Sequence, residues 1–229
     1  MFCSSKTKPD HPYVLETLSA QESWRMFRIL AEFVEGFETL CQVYPAVTIF
    51  GSARVEPSSK VYQDAYKIGK GLARAGFSIV TGGGPGVMEA ANKGCFEAGG
   101  LSAGLNIKLP HEQSLNPYTN LHVEFRYFFV RKVMLIRYAV AIVCMPGGFG
   151  TLDEFFETIT LIQTKKIKPI PIILVNNDYW KGLIDWISET LLRNKAISKE
   201  DLSIFHIVDD PEQVIETIRL TAPVERDSY

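Results

Sequence analysis

Cysteine is scarce and scattered. The chain carries Cys3, Cys41, Cys95 and Cys144, no two of them at CxxC spacing, and its four histidines do not gather beside them. A disulfide framework, a structural zinc and a dithiol redox motif are therefore not expected. A reducing, cytoplasmic setting suits this usage, and Cys144, inside an apolar run, reads as a buried free thiol. Long apolar runs are missing as well. Nothing approaches the ~18 consecutive apolar residues of a membrane span, and the opening MFCSSKTKPDHPY lacks the apolar core of a secretion signal. Charge of one sign is also lacking: the net charge is −2 with Lys and Arg dispersed, so no basic stripe offers itself to nucleic acid. The expected protein is cytoplasmic, with no membrane or nucleic-acid partner and no metal.

Two nucleotide signatures are absent. The Walker motif needs Gly-Lys followed by Ser or Thr; the chain's Gly69-Lys70 is followed by Gly71. The dinucleotide GxGxxG fails twice, because Gly82 and Gly84 would require glycine where Val87 stands, and Gly148 and Gly150 where Asp153 stands. A Walker-type NTPase and a conventional NAD site are disfavoured.

What is present is strand and helix in alternation. At 229 residues, with 46 % apolar and 22 % charged residues, the chain fits one large α/β domain that buries a core without staples. β-rich runs fall at Val47–Phe50, Phe77–Val80, Leu101–Ile107, Leu121–Phe125, Ala139–Met145 and Ile170–Val175, with a weaker one at Ser203–Val208. Helical patterns lie between most of them, at about Lys60–Ala75, Val87–Ala98, Phe128–Tyr138, Leu152–Gln163, Trp180–Arg193 and Pro211–Leu220. Pro85 and Pro211 suit first helical positions, with Asp210 as the cap before the second. This order predicts a Rossmann-like, doubly wound, mainly parallel sheet with helices on both faces. Residues 44–229 would form that domain. Residues 1–43 would precede it as a loose polar segment and a helix from Ser23 to about Gln42. On this helix Trp24, Phe27, Leu30, Val34 and Phe37 form an apolar stripe, read as packing onto the main domain or, alternatively, as a dimer contact.

Glycine-rich sequences follow three strands: Gly51-Ser52-Ala53-Arg54, Thr81-Gly82-Gly83-Gly84-Pro85-Gly86 and Pro146-Gly147-Gly148-Phe149-Gly150-Thr151. Ligands of such sheets bind beyond the carboxyl ends of the strands. There a helix start offers unpaired N–H groups and partial positive charge to a phosphate, and glycine lets backbone come close. Two long turns of this kind point to a phosphorylated small molecule. Thr151-Leu152-Asp153-Glu154 also reads as a capping box, with Glu154 bonding back to the helix start. Arg131-Lys132 is either a solvated basic pair or a guanidinium fork for an anion, with a lysine beside it.

Arg131-Lys132 followed by Pro146-Gly147-Gly148-Phe149-Gly150-Thr151-Leu152-Asp153-Glu154 resembles the RK and PGGxGTxxE motifs of the LOG ("Lonely Guy") family, cytokinin riboside 5′-monophosphate phosphoribohydrolases often labelled lysine decarboxylases. The likeness covers about Val47 to Gln163 and runs more loosely to about Ile218. The extra N-terminal helix and the segment from Leu109 to Tyr118 set the chain in a longer, bacterial-type branch. The resemblance implies cleavage of the N-glycosidic bond of a purine-type nucleoside 5′-monophosphate, such as AMP or a cytokinin nucleotide, to free base and ribose 5-phosphate. It implies Glu154 and Arg131 as catalytic residues. Gly147, Gly148, Gly150 and Thr151 would hold the 5′-phosphate with Gly83 and Gly84 nearby, and Lys132, Phe149, Leu152 and Asp153 complete the implied substrate-binding set. Phe128, Phe129 and Tyr127 either flank the base or, for at least two of them, pack in the core. Self-association into a homodimer or larger oligomer is expected, with no cofactor: Lys132 and Lys93 are Schiff-base candidates for pyridoxal phosphate only by standing near the motifs. The competing expectation is a non-catalytic carrier of a nucleotide or of molybdenum cofactor on the same fold.

Overall fold

The computed structural model describes residues 21–108 and 115–223. The polar opening segment, Cys3 and part of the Leu109–Tyr118 segment lie outside them. Seven strands form one parallel sheet in the order β4-β3-β2-β1-β5-β6-β7. They are β1 (Ala46–Phe50), β2 (Ser78–Thr81), β3 (Ser102–Ile107), β4 (Leu121–Phe125), β5 (Ala139–Cys144), β6 (Ile172–Val175) and β7 (Phe205–Val208). The helices are α1 (Gln21–Leu40), α2 (Lys60–Arg74), α3 (Val87–Glu97), α4 (Phe128–Arg137), α5 (Phe149–Gln163), α6 (Asn177–Trp186) and α7 (Pro211–Thr221).

The central strand β1 is buried along its whole length. Its side chains alternate between two cores, as a period of two requires. Ala46 and Phe50 join one core with Leu40, Met134, Phe155 and Trp180 from α1, α4, α5 and α6. Val47 and Ile49 join the other with Ile68, Ala91 and Val214 from α2, α3 and α7. Helices on both faces of an all-parallel sheet make the expected doubly wound α/β architecture. Cys144 is a fully buried free thiol.

Several local expectations differ. α5 begins at Phe149, three residues before the predicted Leu152, because Gly148 takes the N-cap position. Pro211 does open α7, but Asp210 caps it without a side-chain bond. Pro85 stands outside α3, which Gly86 precedes at φ +68°. α6 starts at Asn177 and passes into wider π turns over Ile187–Leu192. The largest difference is in α1. Trp24, Phe27, Leu30, Val34 and Phe37 are all exposed, and the face that packs inward carries Ile29, Phe33, Gly36 and Leu40 instead. The helix has two apolar faces, and periodicity alone does not say which one the domain covers.

Candidate active site

From β1 the chain builds outward through β2, β3 and β4, then crosses back to β5 and builds the other way. β1 and β5 are thus neighbours whose outgoing segments diverge, which opens a crevice beyond their carboxyl ends. A cleft of about 810 Å³ lies there, the size of a small-molecule site. Its walls are Phe50–Val55 after β1, Pro146–Thr151 after β5, and Gly82, Met88, Ile107, Phe128, Arg131, Leu135, Glu154 and Tyr179.

The two walls are latched together. Ser52 N donates to Pro146 O (3.0 Å) and Met145 N to Phe50 O (2.8 Å). A Cβ on Gly147 would stand 2.1 Å from Thr151 Oγ1 and 3.0 Å from Ser52 N, so the approach requires glycine. The Tyr179 hydroxyl donates to Gly147 O and fixes the same turn from α6. Beyond it α5 starts. The first N–H groups of a helix have no partner within it and point out of its end, here into the cleft edge lined by Gly148, Phe149 and Gly150. Gly148 has φ −88° and its Cβ would meet nothing within 4 Å. Glu154 sits in the second turn of α5, and no side chain caps this helix. The capping-box reading is therefore corrected: once Gly148 is the cap, Thr151 and Glu154 stand too far along the helix to serve its start.

Glu154 is 5 % exposed, and its Oε2 has no hydrogen-bond partner; Arg131 Nε is also buried and unpartnered. Burial pushes the Glu154 carboxyl up to about 7, with the neighbouring charges of Glu157 and Asp153 raising it and those of Lys132 and Arg131 opposing the rise. Burial likewise pulls the Arg131 guanidinium down, against the charges of Glu154 and Asp153. Arg131 lies 5.5 Å over the Phe128 ring and 3.5 Å from Leu105 O through Nη1. A buried carboxyl and a half-buried guanidinium, each with a buried polar atom lacking a partner, thus border one cleft beside a helix N-terminus. Buried polar atoms nearly always find partners, so these two, on residues that line the cleft, mark a place where polar groups are left unsatisfied.

The remaining residues expected at the site divide. Gly147, Gly148, Phe149, Gly150 and Thr151 line the cleft with Arg131 and Glu154. Lys132 turns aside: its Nζ donates to Asp153 Oδ2 (2.7 Å) and stands 3.0 Å from Glu157 Oε2, an ion pair off the line of a hydrogen bond. Burial works against its charge, but these carboxylates outweigh that and hold it above the usual lysine value. Leu152 packs against the core. Gly83 and Gly84 do not line the cleft, whereas Gly82 of the same turn does. Phe128 and Phe129 are 54 % and 39 % exposed, and only Tyr127 of the three aromatics packs against the core. Core packing for two of them is corrected, since α4 turns these rings outward. Ser52, Ala53, Arg54, Val55, Met88 and Tyr179 enter the cleft without having been singled out. The first three were visible as a glycine-led turn after β1; Tyr179, far away in sequence, gave no local signal. Among the described residues no cluster of His, Cys, Asp or Glu could hold a metal, and no helix is long and apolar enough to cross a membrane.

The family model described as possible lysine decarboxylase matches residues 88–218. A curated cytokinin riboside 5′-monophosphate phosphoribohydrolase of Rhodococcoides fascians is 27 % identical over 178 residues, covering 76 % of this chain and 89 % of that one. The probable cytokinin riboside 5′-monophosphate phosphoribohydrolase LOG6 of Arabidopsis thaliana is 31 % identical over 153 residues, covering 65 % and 75 %. Among solved structures, the molybdenum cofactor binding protein of Rippkaea orientalis superposes with TM-score 0.56 at 25 % identity, covering 76 % of this chain and 94 % of that one. The molybdenum cofactor carrier protein of Chlamydomonas reinhardtii does so with TM-score 0.55 at 22 % identity, covering 77 % and 96 %; this likeness speaks to fold alone.

Proposed function

This chain belongs to the LOG family, and we propose from that membership that it hydrolyses the N-glycosidic bond of a purine-type nucleoside 5′-monophosphate, AMP or a cytokinin nucleotide, to free base and ribose 5-phosphate. The observation that carries the reading is the convergence of Glu154, Arg131 and the α5 N-terminus on one cleft, with Glu154 buried, Arg131 half-buried and each holding a buried, unpartnered polar atom. The 5′-phosphate sits at the N–H groups of Gly148 to Gly150, ahead of Thr151, whose N–H donates to Gly148 O, and sets the ribose over Glu154. As the bond between C1′ and the base nitrogen breaks, its electron pair leaves with the base and positive charge develops on the ribose. The Glu154 carboxylate stabilises that charge and accepts a proton from the water that attacks C1′; one proton ends on the base. A carboxyl near 7 exchanges its proton readily at neutral pH. Arg131 remains a charged donor that orients substrate and holds the ionised form of Glu154. Lysine decarboxylation through a Schiff base gains no support: the residues lining the cleft include no lysine, and Lys132 is held charged by carboxylates.

The test is ribose 5-phosphate release from AMP and from a cytokinin nucleotide by the wild-type protein, Glu154→Gln and Arg131→Lys. Wild-type release is expected, with at least about a hundredfold loss in Glu154→Gln and a partial loss in Arg131→Lys, because an ammonium cannot reproduce the fork. Equal rates for wild type and Glu154→Gln would sink the mechanism. Tight nucleotide or molybdenum-cofactor binding without release from any nucleotide would favour a carrier.

A further inference from the structure

Tyr179 belongs to α6, which follows β6, yet its hydroxyl donates to Gly147 O in the turn after β5. The ring is firmly mounted for that contact. Asn176, held at φ +82°, caps α6 by accepting from Tyr179 N (3.2 Å). The ring stands edge-on to Trp180, with 5.1 Å between centroids and 85° between planes. Trp180 is itself buried, and its Nε1 donates to Val175 O (3.0 Å). The carbonyl that Tyr179 holds belongs to the peptide unit joining Gly147 to Gly148. Glycine on both sides leaves that unit free to turn about its flanking dihedrals, so side-chain bulk does not decide which way it faces. Among the described residues Gly147 O accepts from Tyr179 alone, and Gly148 N donates to no protein group.

The peptide is trans, and in a planar trans unit C=O and N–H point in opposite directions. The strand order β1-β5-β6 gives those directions a meaning. Tyr179 reaches in from the β6 side and draws the carbonyl that way. The Gly148 N–H is then turned to the β1 side, where Phe50–Val55 form the other wall of the cleft. Taking the phosphate at the α5 N-terminus as argued above, we propose that Tyr179 is a positioning residue for it. By holding the Gly147 carbonyl, Tyr179 keeps the Gly148 N–H aimed at the anion and keeps the carbonyl oxygen away from it. Without the hydroxyl the unit turns over, and the turned form offers an oxygen where the phosphate needs a donor. A bound phosphate selects the donor form. The cost therefore falls on the binding of phosphorylated ligands, not on the chemical step carried by Glu154 and Arg131. A plain bracing role for Tyr179, holding α6 against the turn, would affect every ligand of the cleft alike.

Tyr179→Phe in the full chain removes the hydroxyl and leaves the ring on Trp180. Calorimetry of ribose 5-phosphate and of adenosine reads the two halves of the site apart. Affinity for ribose 5-phosphate should fall about tenfold, the scale of one charge-assisted hydrogen bond, with adenosine unchanged. In AMP hydrolysis KM should rise by a similar factor and kcat stay within about twofold. Tyr179→Leu, which gives up the ring as well, should show the same split at a lower melting temperature, so that anion affinity separates from stability. The positioning role and the hydrolytic function fail separately. A selective loss of ribose 5-phosphate affinity in Tyr179→Phe, with no hydrolysis by wild type, keeps the positioning role and removes the reaction. Unchanged ribose 5-phosphate affinity in Tyr179→Phe, or an equal loss for adenosine, overturns the positioning role whether or not AMP is cleaved. A wild type that binds no ribose 5-phosphate overturns it as well.

Discussion

Two glycine-rich turns leave the strands on either side of β1, and only one of them opens. The turn after β5, Pro146–Thr151, presents Gly148 and Gly150 to empty space, and its helix starts at the cleft. The turn after β2, Thr81–Gly86, touches the cleft only at Gly82 and is otherwise closed on itself. Thr81 Oγ1 accepts from Gly83 N and donates to Asn92 Oδ1; Asn116 donates through N to Gly83 O and through Nδ2 to Gly84 O and Asn92 Oδ1. Its helix, α3, points Val87 N at Ser52 O, 3.0 Å away, rather than at a ligand. Identical residue types therefore do opposite work. In one turn glycine leaves backbone donors accessible, and in the other it lets backbone pass backbone while two asparagines satisfy the donors and acceptors.

The largest effects should come from the closed turn. Gly86 has φ +68°, and a Cβ there would lie 2.4 Å from Ser52 O and 2.8 Å from Ala53 C. Gly86→Ala should destabilise the fold by about 3 kcal/mol or more, combining left-handed strain with a backbone clash, and denaturant titration measures it. Asn92→Ala should follow at about 2–4 kcal/mol, because Thr81 and Asn116 lose a fully buried partner and Ser102 loses its donor. A loss within experimental error in both variants would mean that the second turn is as free as the first, and the contrast between them would fall.

Most of the frame was legible in the sequence. Strands buried on both faces read as apolar runs, and the crossover pattern leaves few topologies, so every predicted strand is present to within two residues at each end. The glycine turns were legible as turns but not by role. Asn116 lies more than twenty residues beyond the turn it ties, and an asparagine in a loop carries no local sign of what it will bind. The start of α5 was misread for a similar reason: Thr151 to Glu154 has the capping spacing, yet Gly148 caps without a side chain and moves Glu154 into the second turn, facing the cleft. In α1 the more regular of two apolar faces drew the reading, while the face the domain covers is interrupted by Glu32 and Gly36.

The open turn and Glu154 behind it should show effects of the opposite sign, no larger than those of the closed turn. The folded carboxyl of Glu154 keeps its proton up to about 7, whereas the unfolded chain releases it near the ordinary value of 4.5. Between those values the folded state binds more protons, so this group's contribution to stability declines as pH rises from about 4.5 to 7 and is level beyond. Glu154→Gln removes that penalty. It should match wild type near pH 4.5 and exceed it by up to about 3 kcal/mol at pH 8, while losing turnover. Denaturation midpoints of both proteins across this range measure the difference, and a variant that is less stable at pH 8 would return Glu154 to a structural role. Where the ionised form is the working one, wild-type kcat/KM should rise through pH 7.

Gly150→Ala should have the smallest effect on the fold and the most telling sign. Gly150 lies in the first turn of α5 without a positive φ, and a Cβ there meets nothing within 4 Å. Alanine is the better helix residue, so the substitution should stabilise the protein by about 0.5–1 kcal/mol. On the proposed function the same methyl projects where a 5′-phosphate would meet backbone N–H groups, and it should weaken AMP binding about tenfold by calorimetry. Gly148→Ala should also weaken binding, but without the gain in stability, because alanine is a poor N-cap residue. A closed turn cannot give this pairing of higher stability with poorer binding, since a glycine required by packing loses stability when replaced. If Gly150→Ala bound AMP as wild type does, the α5 N-terminus would not be the phosphate site, and the first turn would be open without being used.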